Sequence, residues 1–259
     1  MIILRMTMKL KFLIAKYFGF YELDRSIQEI FYKENGLDRE AGLEKLNQVL
    51  IQELGVAYNE QEGMFSEHLI MLASISLSHT NIANILEIGT YDGRAALIIS
   101  RLFPNASIVT IDLPEDEAEF SSTYDREHSV NNFLAKRNQL LSRSENVRYV
   151  ATNSLNLCNA NDKYDLIWVD GAHGYPAIAC DIANSIRLLS PEGILMVDDI
   201  WTSIKHSDAY YRSVGGHETL NAHVGAGTLN AVTLFNKRLG GTHNYPGAKK
   251  YVAFVRKCV

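Results

Sequence analysis

The run Ile85-Leu-Glu-Ile-Gly-Thr-Tyr-Asp-Gly93 constrains this chain more than any other stretch. It reads as a buried strand that enters a glycine-bearing turn, after which Arg94-Ala95-Ala96-Leu97 begins a helix. A strand feeding a tight turn and a helix is the first half of a βαβ unit. Glycine has no Cβ and takes positive φ, so such a turn lets a ligand lie against bare backbone. The helix behind it adds unpaired N–H groups and a positive dipole end. The spacing Gly89-x-x-x-Gly93 is not the G-x-G-x-x-G of a dinucleotide fold. Glu87 is the odd element, because a carboxylate inside a strand is costly unless it is paired or meets a cation. A tight turn in an ordinary α/β protein is the plainer alternative.

The rest of the chain repeats that alternation. Strand candidates at 84–88, 107–112, 146–150, 164–169 and 193–198 are interleaved with helices near 93–103, 127–142 and 175–189. This pattern predicts a parallel sheet with helices on both faces. Two later runs, 228–235 and 250–256, are joined through the turn-rich GGTHNYPG at 240–247, which fits an antiparallel pair. The opening residues read as helical. Asp24 is placed to cap a helix through Lys33 that Gly36 stops, and Asp38 to cap a second helix ending near Gly55. Ser66 is placed to cap a third, with Leu69, Ile70, Leu72, Ala73 and Leu77 on one core-facing side. The chain thus divides into a helical extension, 1–63, acting as a cap or dimerisation element, and a main domain, 64–259. Segments 114–126 and 201–226 read as polar loops after C-terminal strand ends, the edge where open α/β sheets bind ligands.

Composition narrows the function classes. Hydrophobic residues make up 47% of the 259, enough for a substantial core. Lys and Arg total 25 against 30 Asp and Glu, and a net charge of −5 argues against a nucleic-acid partner. Cys158, Cys180 and Cys258 have no metal-ligand spacing and read as reduced thiols of a cytoplasmic protein. Residues 1–20 are apolar but broken by Arg5, Lys9, Lys11 and Lys16, too short a span to cross a bilayer. They lack a small-residue cleavage site. They either touch a membrane surface weakly or pack on the core or on a second subunit, and the second reading favours a homodimer.

Four features fall at predicted C-terminal strand ends: the glycine turn, Asp112, Asp170 and the pair Asp198-Asp199. An acid ending the second strand suits the two hydroxyls of a ribose, with a turn cap as the plain alternative. Asp170, Asp198 and Asp199 end neighbouring strands, and clustered carboxylates repel unless protons or a cation intervene. Oxygen-only donors suit a hard divalent ion, Mg²⁺ or Ca²⁺ before zinc. The alternative is that two of the three cap helices or pair with Lys or Arg. His173, three residues beyond Asp170, is placed for general-base work or simply for solvent. Most of the remaining histidines, His68 among them, read as surface or loop residues, although His217 and His223 lie in a loop able to line a substrate pocket. Tyr124, Trp201, Tyr210 and Tyr211 in the variable loops either stack on an acceptor or pack a lid.

Together, ILEIGTYDG, IVTIDLP, YDLIWVDGAHGYPAIACDI and GILMVDD resemble the class I S-adenosylmethionine-dependent methyltransferases. Within them the resemblance is to metal-dependent small-molecule O-methyltransferases of the macrocin/mycinose sugar and catechol types, and it covers about 64–259. It implies a Rossmann-like, doubly wound, mostly parallel seven-stranded sheet with a terminal antiparallel pair. It implies that Glu87, Gly89, Thr90, Tyr91 and Gly93 surround the methionine part of the cofactor. Asp112, with Leu113 beside it, would bind the ribose, and Asn153 and Ser154 the adenine. Asp170, Asp198 and Asp199 match the positions of a divalent metal, Mg²⁺ first by the hardness of its donors, and His173 matches the base, with Asp170 beside it. Catechol-type enzymes carry Lys in place of His173 and Asn in place of Asp199, so the pattern leans to the sugar-modifying branch. The acid often found after the third strand is absent from Ala151-Thr-Asn-Ser154.

The implied activity is methyl transfer from S-adenosylmethionine to a hydroxyl of a small molecule of sugar or natural-product type. Two alternatives stand beside it: a metal-dependent hydroxylase on the same fold, and a non-catalytic cofactor-binding or interaction protein.

Overall fold

The computed structural model describes residues 20–60, 65–121, 129–204, 214–238 and 250–258. The membrane-surface and dimer readings rest on 1–20, and all but Phe20 of that segment lies outside the described residues, as do Tyr124, Tyr210 and Tyr211.

Three helices precede the sheet: α1 (Phe20–Glu34), α2 (Arg39–Leu54) and α3 (Glu67–Ser78). Asp38 caps α2, its side chain accepting from Ala41 N at 3.0 Å, and Gly55 closes α2 in the left-handed conformation. Two expected caps are not formed. Helix α1 begins at Phe20, so Asp24 lies inside it. Ser66 stands at the N-cap of α3 but makes no capping bond, because its Oγ pairs with His68 Nδ1 at 2.6 Å. Nor does α3 present a single core face. Every residue from Glu67 to Ile75 is buried, whereas Leu77 is exposed. Helix α3 lies between α2 and the sheet, so both of its sides meet protein rather than water.

The sheet follows the alternation read from sequence. Its strands are β1 (Asn84–Ile88), β2 (Ser107–Asp112), β3 (Val147–Ala151), β4 (Tyr164–Val169), β5 (Leu189–Ile200), β6 (Thr233–Asn236) and β7 (Tyr251–Arg256), in the order β3-β2-β1-β4-β5-β7-β6. Strands β1 to β5 pair in parallel, and β7 runs antiparallel to both β5 and β6. Helices α4 (Arg94–Leu102), α6 (Val130–Leu141) and α7 (Ala177–Leu188) make the crossovers, with a short α5 (Ala118–Ser121) after β2. The segment 201–226 departs from the expected loop, since Gly215–Gly225 forms helix α8.

Two apolar layers sandwich the sheet. One unites Tyr32, Leu46 and Leu50 of α1 and α2 with α3, α4 and Trp168, so the described part of the helical extension shares the core of the main domain. The other packs α7 through Ile178, Ile182 and Ile186 on Leu86, Ile88, Ile167 and Val169. Among the described residues no helix is long and apolar enough to cross a membrane, and Cys158, Cys180 and Cys258 are free thiols.

Candidate active site

Strand order reverses between β1 and β4, which opens a crevice at their carboxyl ends. The β1 turn is held against β2 by backbone: Gly89 N and Thr90 N both donate to Ile111 O, at 2.9 and 3.1 Å. Asp112 braces the same turn, its Oδ2 accepting from Tyr91 N and its Oδ1 from Leu113 N, each at 2.8 Å. A carboxylate oxygen accepts more than one hydrogen bond, so an acid at this strand end suits a ligand with two neighbouring hydroxyls. Gly89 at φ 104 and Gly93 at φ 82 use the freedom only glycine has, and Gly93 opens α4. Tyr91 also takes positive φ, 47°, and its ring lies 5.3 Å from that of Phe133.

Glu87 is fully buried beneath this turn. Its Oε2 accepts from Thr110 Oγ1 at 2.5 Å, and that hydroxyl meets Thr90 Oγ1 at 2.6 Å. Its Oε1 has no hydrogen-bond partner among the described groups. Burial pushes the Glu87 carboxyl up to about 8, despite the stabilising bond from Thr110. The chain therefore keeps an acid that a positively charged ligand could ionise.

On the other side of the crevice, Asp170 follows β4 while Asp198 and Asp199 lie near the end of β5. Consecutive strand residues normally point to opposite faces. Here the register with β7 shifts between Val197 and Ile200, and Asp199 takes φ 51, so both acids reach one cation. That cation is the ammonium of Lys237, which forms a short ion pair with Asp198 Oδ2 and another of 2.6 Å with Asp199 Oδ1. Lys250 Nζ takes the second Asp199 oxygen at 2.6 Å. His173 Nε2 lies 3.5 Å from Asp170 Oδ1 and 3.8 Å from Asp199 Oδ2.

Electrostatics separates these groups. Burial alone would raise Asp198 and Asp199, but Lys237 reverses this and holds both below the usual carboxylate range. Burial and the charge of Asp198 instead raise Asp170. Asp198 Oδ1 is buried with no donor in hydrogen-bonding geometry, and the neighbouring Asp170 carboxyl can supply one only when protonated. Burial lowers the His173 imidazole, so at neutral pH its uncharged form prevails. One ligand atom each from Asp170, His173 and Asp198 fall within 4.8 Å of one another, an arrangement that can hold a metal ion. The expected trio of acids is therefore brought to one rim, with Asp199 turned to the lysines.

The end expected to meet adenine is less direct. Asn153 caps the 3-10 turn Ser154–Asn159, its Oδ1 accepting from Leu155 N at 3.1 Å, and its Nδ2 donates to Glu117 Oε2 at 3.2 Å. Asp181 of α7, overlooked in the sequence, is buried near Ser154, and burial lifts its carboxyl to about 6 against the lowering effect of that hydroxyl. His68, expected at the surface, is buried and stacked on Trp168 with centroids 4.9 Å apart. Burial lowers its imidazole to about 4. Trp201 is buried too, and Lys250 Nζ sits 5.2 Å from its ring centroid.

Residues 86–200 match a family described as a methyltransferase domain. No curated protein matches the chain. Among solved structures, the O-methyltransferase TomG from Streptomyces achromogenes, involved in tomaymycin synthesis and solved with SAM, is 16% identical with a TM-score of 0.52. The alignment covers 89% of this chain and 96% of TomG. A Klebsiella pneumoniae protein described as an O-methyltransferase is 16% identical with a TM-score of 0.53, over 84% of this chain and 90% of its own. A Staphylococcus aureus protein described as a caffeoyl-CoA O-methyltransferase is 18% identical with a TM-score of 0.53, over 81% and 91%. These likenesses establish the fold, and residues 86–200 carry the similarity to the methyltransferase-domain family.

Proposed function

We propose that this chain, an enzyme with a methyltransferase domain, moves a methyl group from S-adenosylmethionine to a hydroxyl of a small molecule of sugar or natural-product type. One contact carries the reading. The turn that faces the donor and the loop that carries acid and base touch directly: Asp170 N donates to Ile88 O at 2.8 Å, and Asp170 O lies 2.3 Å from where a Gly89 Cβ would stand. Donor pocket and proton acceptor thus share one surface, as in-line transfer requires.

When bound, S-adenosylmethionine supplies an electrophilic methyl on a positively charged sulfur. The backbone of Gly89, Thr90, Tyr91 and Gly93 lines its methionine side, and Glu87 below offers a carboxylate to its charge. Asp112 holds the ribose hydroxyls next to Leu113, while Asn153 and Ser154 border the adenine. His173 takes the proton from the acceptor hydroxyl, since its buried ring is uncharged at neutral pH. Asp170 stands close enough to stabilise the resulting imidazolium.

The donor set also fits a divalent ion, Mg²⁺ by its hardness: Asp170 and Asp198 converge, and Asp198 Oδ1 is buried without a donor. Such an ion supplies Lewis acidity that lowers the pKa of an acceptor hydroxyl. Asp170 and Asp198 would hold it, and Asp199 would join once the lysines release its oxygens.

The test is incubation with methyl-labelled S-adenosylmethionine and a panel of sugars and hydroxylated aromatics, with products read by mass. Gain of one labelled methylene is the expected result. Gain of one oxygen instead identifies a hydroxylase, and turnover of nothing while the cofactor binds identifies a binding protein.

A further inference from the structure

The acidic rim carries its own cation, and the fold fixes where that cation starts. Lys237 follows β6 directly and lies opposite Lys250, the residue before β7, with Lys237 N donating to Lys250 O at 2.9 Å. From the other side, Glu67 N at the start of α3 donates to Lys237 O at 2.9 Å. The residue before it is clamped as well: the Gln28 amide of α1 donates to Asn236 O and accepts from Asn236 N, both at 2.9 Å. The backbone at Asn236 and Lys237 is therefore held by α1, α3 and Lys250, so any movement of the ammonium falls to the rotatable bonds of the four-carbon stem. Its ammonium enters the acidic pocket and bonds both Asp198 and Asp199, and the whole side chain is only 12% exposed.

We propose that Lys237 is a tethered counter-ion that occupies the acidic pocket and must withdraw from Asp198 and Asp199 before a divalent ion can enter. This rests on the metal reading given above. Lys237 and Lys250 balance the charges of Asp198 and Asp199, so the pocket as built has no surplus negative charge beyond Asp170. A divalent ion beside a retained ammonium would meet like charge at a few ångströms in a poorly screened site. Withdrawal of the ammonium frees Asp198 Oδ2 and Asp199 Oδ1 together, beside the Asp170, His173 and Asp198 ligand set. The helices before the sheet acquire a role in this account: through Gln28 and Glu67 they set the position from which the lysine reaches in.

Mn²⁺ binding, measured by loss of the free-ion electron paramagnetic resonance signal, tests the proposal on wild type, Lys237→Met and Lys237→Arg. Met keeps much of the stem and removes the charge, so its Mn²⁺ affinity should rise at least about tenfold over wild type, whereas the Arg variant stays as weak as wild type. Equal affinity in wild type and Lys237→Met overturns the proposal and leaves the metal reading standing. Absence of Mn²⁺ binding from all three overturns both. If Lys237→Met does not fold, acylation of Lys237 in wild type, followed by mass spectrometry, decides instead. Saturating Mg²⁺ should expose the amine and raise its labelling severalfold, and unchanged labelling contradicts the proposal.

Discussion

Asp170 closes directly over Gly89: its carbonyl oxygen lies 2.3 Å from the position a Cβ on Gly89 would take, and its N–H donates to the carbonyl of Ile88. The relationship makes the first turn of the sheet and the acid-bearing loop after β4 interdependent. No side chain fits between them.

Gly89→Ala should accordingly destabilise the fold by about 3 kcal/mol, because strain at φ 104 adds to a clash with backbone that cannot rotate away. Urea denaturation measures it. Gly174, which has open space around it, is the control, and Gly174→Ala should stay within about 0.5 kcal/mol of wild type.

Glu87 binds its proton more tightly in the folded protein than in the unfolded chain, since burial lifts it from 4.5 to about 8. The stability this contributes is complete below pH 4.5 and is lost as pH rises through about 8. Glu87→Gln has no such proton to lose. The melting temperature of wild type relative to that variant should therefore fall by several degrees between about pH 5 and about pH 9. A constant difference would show that Glu87 is not held protonated.

His173→Asn should lower kcat by about 10² to 10⁴-fold, the usual worth of a positioned general base. In wild type the acidic limb of the pH–rate profile, where activity rises as the imidazole loses its proton, should turn below 6.5, because burial lowers the imidazole from that value. The variant should lose this inflection. An unchanged profile removes the histidine from the chemistry.

Arg39 and Glu67 join α2 to α3 through two bonds, of 2.6 and 2.9 Å, and Tyr32 OH donates to the same carboxylate at 2.8 Å. Glu67 is fully buried, so Arg39→Met leaves an uncompensated charge and should cost about 3 to 5 kcal/mol. Chemical denaturation of wild type and variant gives the value directly. A loss below about 1 kcal/mol, typical of a surface pair, would contradict the buried assignment.

What could be read from the sequence was what is local. The turn after β1, Asp112 at the end of β2, Asp170 after β4 and the acids near the end of β5 each stand at the carboxyl end of their own strand, so strand recognition alone is enough to put them on one rim. Lys237 and Lys250 were not legible. They reach the rim because β7 inserts antiparallel between β5 and β6, a pairing across distant segments. Their positions at the ends of the last two strands were the available signal. Helix α8 is not legible in the sequence because it begins Gly215-Gly216, where the second glycine lets Ile200 approach: a Cβ there would stand 2.8 Å from Ile200 Cδ1. The burial of His68 is not legible either, because it depends on stacking with Trp168, a residue one hundred positions away in a different element.

Isothermal titration with S-adenosylmethionine tests the central claim most directly, using wild type and Asp112→Ala. The account predicts one site of micromolar affinity in wild type, weakened at least about tenfold when the aspartate that braces Tyr91 N and Leu113 N is removed. Absence of binding to the folded wild-type protein, or equal affinity in the two, would contradict it.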